Sequence, residues 1–283
     1  MTLDIGVITL VLAAAALHAT WNALVKAGDD RLAVMAITMG LPVVPFSVAL
    51  FFVPIPAAGC WPFLIASVVF HWGYYYFLLY AYRHGDLSQV YPIARGTAPM
   101  LVAFGGWILA AERLNIYETL GVLLLSAGIA SLAWRRGERR RSGEGWAIAF
   151  ALLTGVTIGL YSLADGLGVR RAGTIAGYIL WIFVLTDLPF LLFALWRRRG
   201  QLRTSLLTNL KPGIGGAVTS SLAYAAVIWA MSVAPMAHVV ALRETSVVMA
   251  AIIGSLALKE PFGVRRIMAA IVVACGVAML QAS

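Results

Sequence analysis

The chain has 283 residues, 61% hydrophobic and only 12% charged, with a formal net charge of +9. Soluble domains carry about 25% charged residues, and no single soluble core hides this apolar excess, so a membrane-embedded chain is expected. The positive charge does not point to nucleic acid, because the basic residues sit in short loops between apolar runs, where they report topology.

A bilayer-spanning helix needs about 20 apolar residues. In chain order the sequence offers such runs at 4–26, 32–53, 62–83, 88–110, 117–134, 146–167, 174–196, 213–233, 238–257 and 264–281. They lack the alternation of barrel strands, and lipid excludes open sheet edges, so each is read as a helix. Turn-forming residues stand between them: Asp29 and Asp30, Pro54 and Pro56, Gly85 and Asp86, Asn115, and Pro261. No Lys or Arg precedes Lys26, so the first run lacks the basic start of a cleaved signal peptide and is expected to remain as a span. Cys60 and Cys275 have no metal-ligand spacing and are read as packing residues.

The stretch 91–114, YPIARGTAPMLVAFGGWILAAERL, returns later as VVALRETSVVMAAIIGSLALKEPF. In register, Arg95 falls on Arg243, Thr97 on Thr245, Ala103 on Ala251, Gly106 on Gly254 and Glu112 on Glu260; Gly128 and Ala130 fall on Gly276 and Ala278. The chain therefore divides into a first five-helix repeat (1–134), a basic linker (135–145) and a second five-helix repeat (146–283). Five is odd, so the second repeat enters the membrane from the opposite side. Inverted repeats of this kind place a transport site near the midplane. Loops on the side away from the termini hold Lys26, Arg31, Arg83, the arginines of 135–141, Arg197, Arg198, Arg199, Arg203, Lys211, Lys259, Arg265 and Arg266. The other side holds only Arg113, Arg170 and Arg171. The positive-inside rule then places both termini outside the cytoplasm.

Arg95 and Arg243 stand inside apolar spans, where a charge is costly and marks function or a buried partner. A guanidinium binds a carboxylate through two parallel hydrogen bonds, so the pair suits a small anionic or zwitterionic solute. Pairing with Glu244, Asp187 or helix-end carbonyls is the structural alternative. Tyr91 lies one turn before Arg95 on the same face. Glu244 points about 100° away from Arg243 and has Gly96 as its counterpart in the first repeat; it could carry a proton or hold two helices together. The third span is aromatic, and His71, Tyr74 and Tyr75 are candidates to line a cavity. Trp21 and Asn22 join them from the first span, Tyr161 and Ser162 from the sixth, Tyr224 from the eighth and His238 from the ninth; ordinary helix packing is the alternative for each. His18, His71 and His238 are also candidate proton relays. Glu112 beside Arg113, and Glu260 beside Lys259, read as ion pairs fixing short turns. Gly121, Gly128, Gly155, Gly159 and the run 213–216 read as places where helix backbones approach. The sequence holds no P-loop, HExxH or Gly-x-Ser-x-Gly, so no catalytic residue, cofactor or metal site is expected.

Two five-helix units, each with an apolar fourth helix ending in Glu (AAERL, LKEPF) and a glycine-bearing fifth, resemble the drug/metabolite transporter superfamily and its ten-helix EamA-type exporters. The resemblance implies ten helices around a central cavity, alternating access, and export of amino acids or related metabolites. Pro99 matches the proline that members carry where the fourth helix enters the pocket; in the second half Val247 stands there. Members are generally placed with both termini cytoplasmic, against the charge count, which is kept here. The expectation is an all-α polytopic protein of a bacterial-type inner membrane, monomer or homodimer. Its partners would be the bilayer and a small-molecule substrate, with zwitterions such as amino acids as the leading class. Efflux of aromatic or cationic drugs, and a membrane-embedded receptor, are the alternatives.

Overall fold

The computed structural model describes residues 4–28, 30–84, 87–132, 144–197, 207–250, 252 and 264–281. Most of the basic linker, Asp29, Gly85, Asp86, Arg198, Arg199, Arg203, Ala251, Gly254, Lys259, Glu260 and Pro261 lie outside them. The regular elements among the described residues are all helical. They are α1 (Ile5–Ala27), α2 (Arg31–Ala49), α3 (Trp61–His84), α4 (Leu87–Ala110), α5 (Ile116–Ser131), α6 (Glu144–Arg171), α7 (Ile175–Arg197), α8 (Leu210–Val233), α9 (Met236–Glu244) and α10 (Val264–Gln281), with 3-10 turns at Leu50–Phe52 and Ala58–Cys60. Among the described residues, seven helices are long and apolar enough to cross a membrane, namely α1 to α4 and α6 to α8. Shorter apolar helices run over Ile116–Ser131 and Ile267–Leu280.

The distribution of side chains is that of a protein dissolved in lipid. Phe51, Phe104, Trp107, Ile108, Leu109 and Trp196 face outward, while Arg95, Asp165, Asp187, Arg243 and Glu244 are buried. In water such an arrangement would leave large apolar side chains solvated and charges dry, against the usual partition. In hydrocarbon it removes the charges from the apolar solvent.

Local chemistry sets the helix starts. Asp4 accepts from the Gly6 amide at 2.7 Å, and Asp30 from the Ala33 amide at 3.2 Å. Asn115 and Glu118 form a reciprocal capping box, with bonds of 2.9 and 2.7 Å, that starts α5. Each satisfies amide groups that the first helical turn leaves without a partner.

The helices pack in matched pairs. α1 lies against α8 and α9, and α6 against α3 and α4. α2 packs on α7 and α8, α7 also meets α3, α5 packs on α10, and α4 meets α9. Close crossings fall on small residues. A Cβ on Gly121 would meet the Gly276 carbonyl oxygen at 2.9 Å, and one on Gly155 would meet the Ala94 carbonyl oxygen at 2.7 Å. These are the approaches for which the sequence sets glycine aside. Gly96, the counterpart of Glu244, has the same explanation, since a Cβ there would lie 2.9 Å from the Ser126 carbonyl oxygen of α5.

The ninth span departs from expectation. The sequence reads as one run over 238–257, yet α9 stops at Glu244 and the helix is interrupted at Thr245. The Thr245 hydroxyl donates to the Leu242 carbonyl at 2.6 Å, and the Thr245 amide turns to the same carbonyl at 3.2 Å. A hydroxyl bonding back to the preceding turn competes with the helical ladder. Helical geometry resumes at 246–250.

Candidate functional site

α9 ends on two consecutive charged residues, Arg243 and Glu244, just before the break at Thr245. Adjacent helical residues point about 100° apart, so the sequence suggests that Arg243 and Glu244 diverge. Instead the longer side chain folds over. Arg243 Nε and Nη2 donate to Glu244 Oε1 at 3.1 and 2.8 Å. From α4, Arg95 Nη1 donates to both Glu244 oxygens at 3.1 Å. Arg243 Nη2 also reaches the Ser162 hydroxyl of α6 at 3.5 Å. One carboxylate thus joins two guanidinia, all at most 3% exposed. Two cations share one anion, so this trio carries an excess positive charge inside the membrane, where uncompensated charge is expensive. Of the carboxylates that the sequence offered as partners, Glu244 rather than Asp187 pairs with both arginines.

Aromatic rings frame the trio. The Arg95 guanidinium lies 5.3 Å from the Tyr91 ring centroid, and that of Arg243 lies 5.9 Å from Tyr161. Both are cation–π distances. The Tyr161 ring stacks on His71 with centroids 3.9 Å apart, and Tyr74 stands edge-on to Tyr161 at 6.1 Å. His18 of α1 contacts Arg95 through Nε2 and receives the Trp21 indole N–H on Nδ1 at 3.2 Å.

A second polar cluster adjoins the first through Tyr161 and His71. Asp165, fully buried on α6, accepts from the Tyr178 hydroxyl of α7 at 3.0 Å through Oδ1. Its Oδ2 accepts from the Tyr224 hydroxyl of α8. Tyr224 Oη in turn lies 3.2 Å from His71 Nε2.

The structure therefore gathers most of the residues singled out in the sequence: His71, Tyr74, Tyr91, Arg95, Tyr161, Tyr224, Arg243 and Glu244. Three stand apart from the trio. Asn22 donates to the His18 carbonyl of its own helix at 2.7 Å. Tyr75 turns towards Met39, 3.6 Å from its sulfur, and Phe190. His238 Nε2 lies 3.3 Å from Glu118 Oε1, at the start of α5. Trp21 reaches the trio only through His18. Glu112 pairs with Arg170 at 2.8 Å and not with its neighbour Arg113; it also accepts from the Met236 amide at 2.9 Å, which ties the end of α4 to α6 and to the start of α9. His18, a candidate proton relay on sequence grounds, contacts Arg95. Asp165 and its partner Tyr178 escaped sequence reasoning. Asp165 sits in the run YSLADG, where an acidic residue within an apolar helix was the available signal.

Residues 145–281 match the model of the EamA-like transporter family. The match falls within the second half of the chain and shows that this stretch is similar to that family. A solved crystal structure superposes with a TM-score of 0.71, covering 96% of this chain and 94% of its own, at 15% identity. Likeness at that identity speaks for a shared fold alone. No curated protein matches the chain. The matched stretch supplies Ser162, Asp165, Tyr178, Tyr224, Arg243 and Glu244, and the first half supplies His18, His71, Tyr91 and Arg95. The apolar helices α1 to α4 and α6 to α8 are those of a multi-pass membrane protein.

Proposed function

We propose that the protein is a secondary transporter that exports small zwitterions, amino acids foremost, by alternating access between two inverted five-helix repeats. The observation that carries this reading is the trio Arg95–Glu244–Arg243, with its excess positive charge beside an aromatic wall. A substrate carboxylate would supply the missing anion through paired hydrogen bonds. Tyr74, Tyr91 and Tyr161 would take up an apolar or aromatic side chain. The ten-span arrangement is supported by the packing itself, since exchanging each helix for the one five places along carries the pairs α3–α6 and α4–α6 onto α8–α1 and α9–α1. The excess positive charge disfavours the cationic-drug reading. The bias of basic residues supports an inner-membrane orientation with both termini outside the cytoplasm.

The test is uptake into liposomes holding the purified protein, with each of the twenty labelled amino acids offered in turn. At least one is expected to accumulate, and Arg243→Ala is expected to abolish its movement while Arg95 still pairs with Glu244. Failure of all twenty to cross would refute the substrate class.

A further inference from the structure

Beyond the substrate site, the second cluster poses a proton-counting problem. His71 Nδ1 lies 2.9 Å from the Ser67 backbone carbonyl oxygen. A carbonyl only accepts, so Nδ1 carries a hydrogen, and in the neutral ring Nε2 is then a bare acceptor. That acceptor lies 3.2 Å from Tyr224 Oη. Tyr224 Oη also contacts Asp165 Oδ2. Three heteroatoms in a row make two contacts, and each contact needs one hydrogen. Tyr224 owns one. If Asp165 is a carboxylate and His71 is neutral, one contact sets lone pair against lone pair in a buried site, which is costly. One added proton satisfies both.

We propose that Asp165, Tyr224 and His71 form a single proton-binding site that loads and releases one proton during the transport cycle. The proton has two resting places. On Asp165 Oδ2, the carboxyl donates to Tyr224 Oη, and Tyr224 donates to His71 Nε2. On His71 Nε2, the imidazolium donates to Tyr224 Oη, and Tyr224 donates to the Asp165 carboxylate. The two arrangements hold the same number of hydrogens and interconvert as Tyr224 passes one on and receives another. In both, Asp165 Oδ1 still accepts from Tyr178 at 3.0 Å. When the proton leaves, Tyr224 keeps one hydrogen and can serve only one neighbour. Either α8 lets go of α3, or it lets go of α6. Proton release thus changes a helix contact, which is what coupling to a conformational step requires.

The surroundings fit this role. Ser67 and His71 face the site from α3, Tyr178 from α7 and Tyr224 from α8, with Tyr161 on α6 itself. Cys60, in the 3-10 turn before α3, belongs to the same buried cluster as Tyr178. On the far side of Tyr161 the charged groups are Arg243 of α9, held by Glu244, and Arg95 of α4. His71 and Arg243 both contact Tyr161, so the proton site and the arginine trio share a wall. The proposal rests on the transporter reading, but the proton site itself can be tested without a substrate.

The diagnostic variant is Asp165→Asn. Its amide oxygen accepts from Tyr178, its NH2 donates to Tyr224, and Tyr224 donates to His71, so every contact survives with no exchangeable proton. Infrared difference spectra of the full-length protein, taken between acid and alkaline buffer, are expected to show loss of a carboxylic-acid or imidazolium signal in the wild type. That signal is expected to be absent in Asp165→Asn and shifted along the pH axis in Tyr224→Phe. A pH difference spectrum unchanged by Asp165→Asn overturns the proposal. In liposomes, with the labelled amino-acid mixture as probe, uptake driven by a pH gradient is expected to fall by about tenfold in Asp165→Asn, within the usual range of coupling between sites. Counterflow at equal pH is expected to persist. Full gradient-driven uptake by the variant also overturns it. If no amino acid crosses in the wild type, the substrate reading fails, and the infrared result still decides the proton site.

Discussion

Replacing Glu244 by glutamine removes one negative charge and almost no volume. Both Glu244 oxygens are engaged, receiving Arg95 Nη1 at 3.1 Å and Arg243 Nε and Nη2 at 3.1 and 2.8 Å. Both guanidinia are 3% exposed, so neither finds water when the carboxylate is gone. Removing one partner of a buried ion pair costs about 3–5 kcal/mol, because the remaining charge stays buried and unpaired. At about 2–4 °C per kcal/mol for a chain of this order of size, the melting temperature should fall by about 10 °C. The assay is thermal unfolding of the purified protein in detergent, followed by circular dichroism. Arg95→Gln alone should cost less, since Glu244 keeps Arg243, and the double variant should cost less than the sum of the two single ones because the residues interact directly. A small carboxylate such as glycine should raise the melting temperature of Glu244→Gln more than that of the wild type. At about a hundred times its dissociation constant a ligand stabilises by about 2.7 kcal/mol. A fall corresponding to less than about 1 kcal/mol would refute the reasoning, because it would mean that solvent already compensates the two arginines.

Other outcomes follow from particular contacts. Gly121→Ala puts a methyl group 2.9 Å from the Gly276 carbonyl oxygen and from Leu280, so it should destabilise by about 1–3 kcal/mol. Gly145→Ala, where nothing lies within 4 Å, should be neutral or stabilising by about 0.5–1 kcal/mol in the same melt. Arg170→Ala should cost about 2 kcal/mol, since it strips Glu112 of its cation and leaves the Met231 and Ala234 carbonyls without their donors at 2.8 and 2.7 Å. Alkaline phosphatase fused after Ser283 should be active if the C-terminus lies outside the cytoplasm; an inactive fusion that is nonetheless expressed would reverse the orientation.

Much of this molecule was legible in one dimension because lipid is a simple solvent. It forces the backbone into helices and makes every span an apolar run, so α1 to α4 and α6 to α8 could be placed within a few residues. The same logic marked Arg95, Arg243 and Glu244, since a charge in such a run needs a partner. Glycines at tight crossings were also readable, because only a missing side chain allows backbones to approach so closely.

The partners themselves were not readable. Pairing depends on which face each helix turns inward and on how far long side chains fold, and neither follows from spacing along the chain. Arg243 meets the residue next to it, Arg95 meets a carboxylate 149 positions away, and Glu112 prefers Arg170 to its neighbour Arg113. The helix break at Thr245 arises from a hydroxyl turning back to Leu242, a choice open to any threonine and taken here beside the buried charges. Composition and periodicity fixed the solvent, the helices and the residues too costly to be idle. Packing decided that Glu244 would serve two arginines, and that Asp165, Tyr224 and His71, drawn from three helices, would meet in one line, because only the assembled bundle sets the distances and the dryness that give those groups their energies.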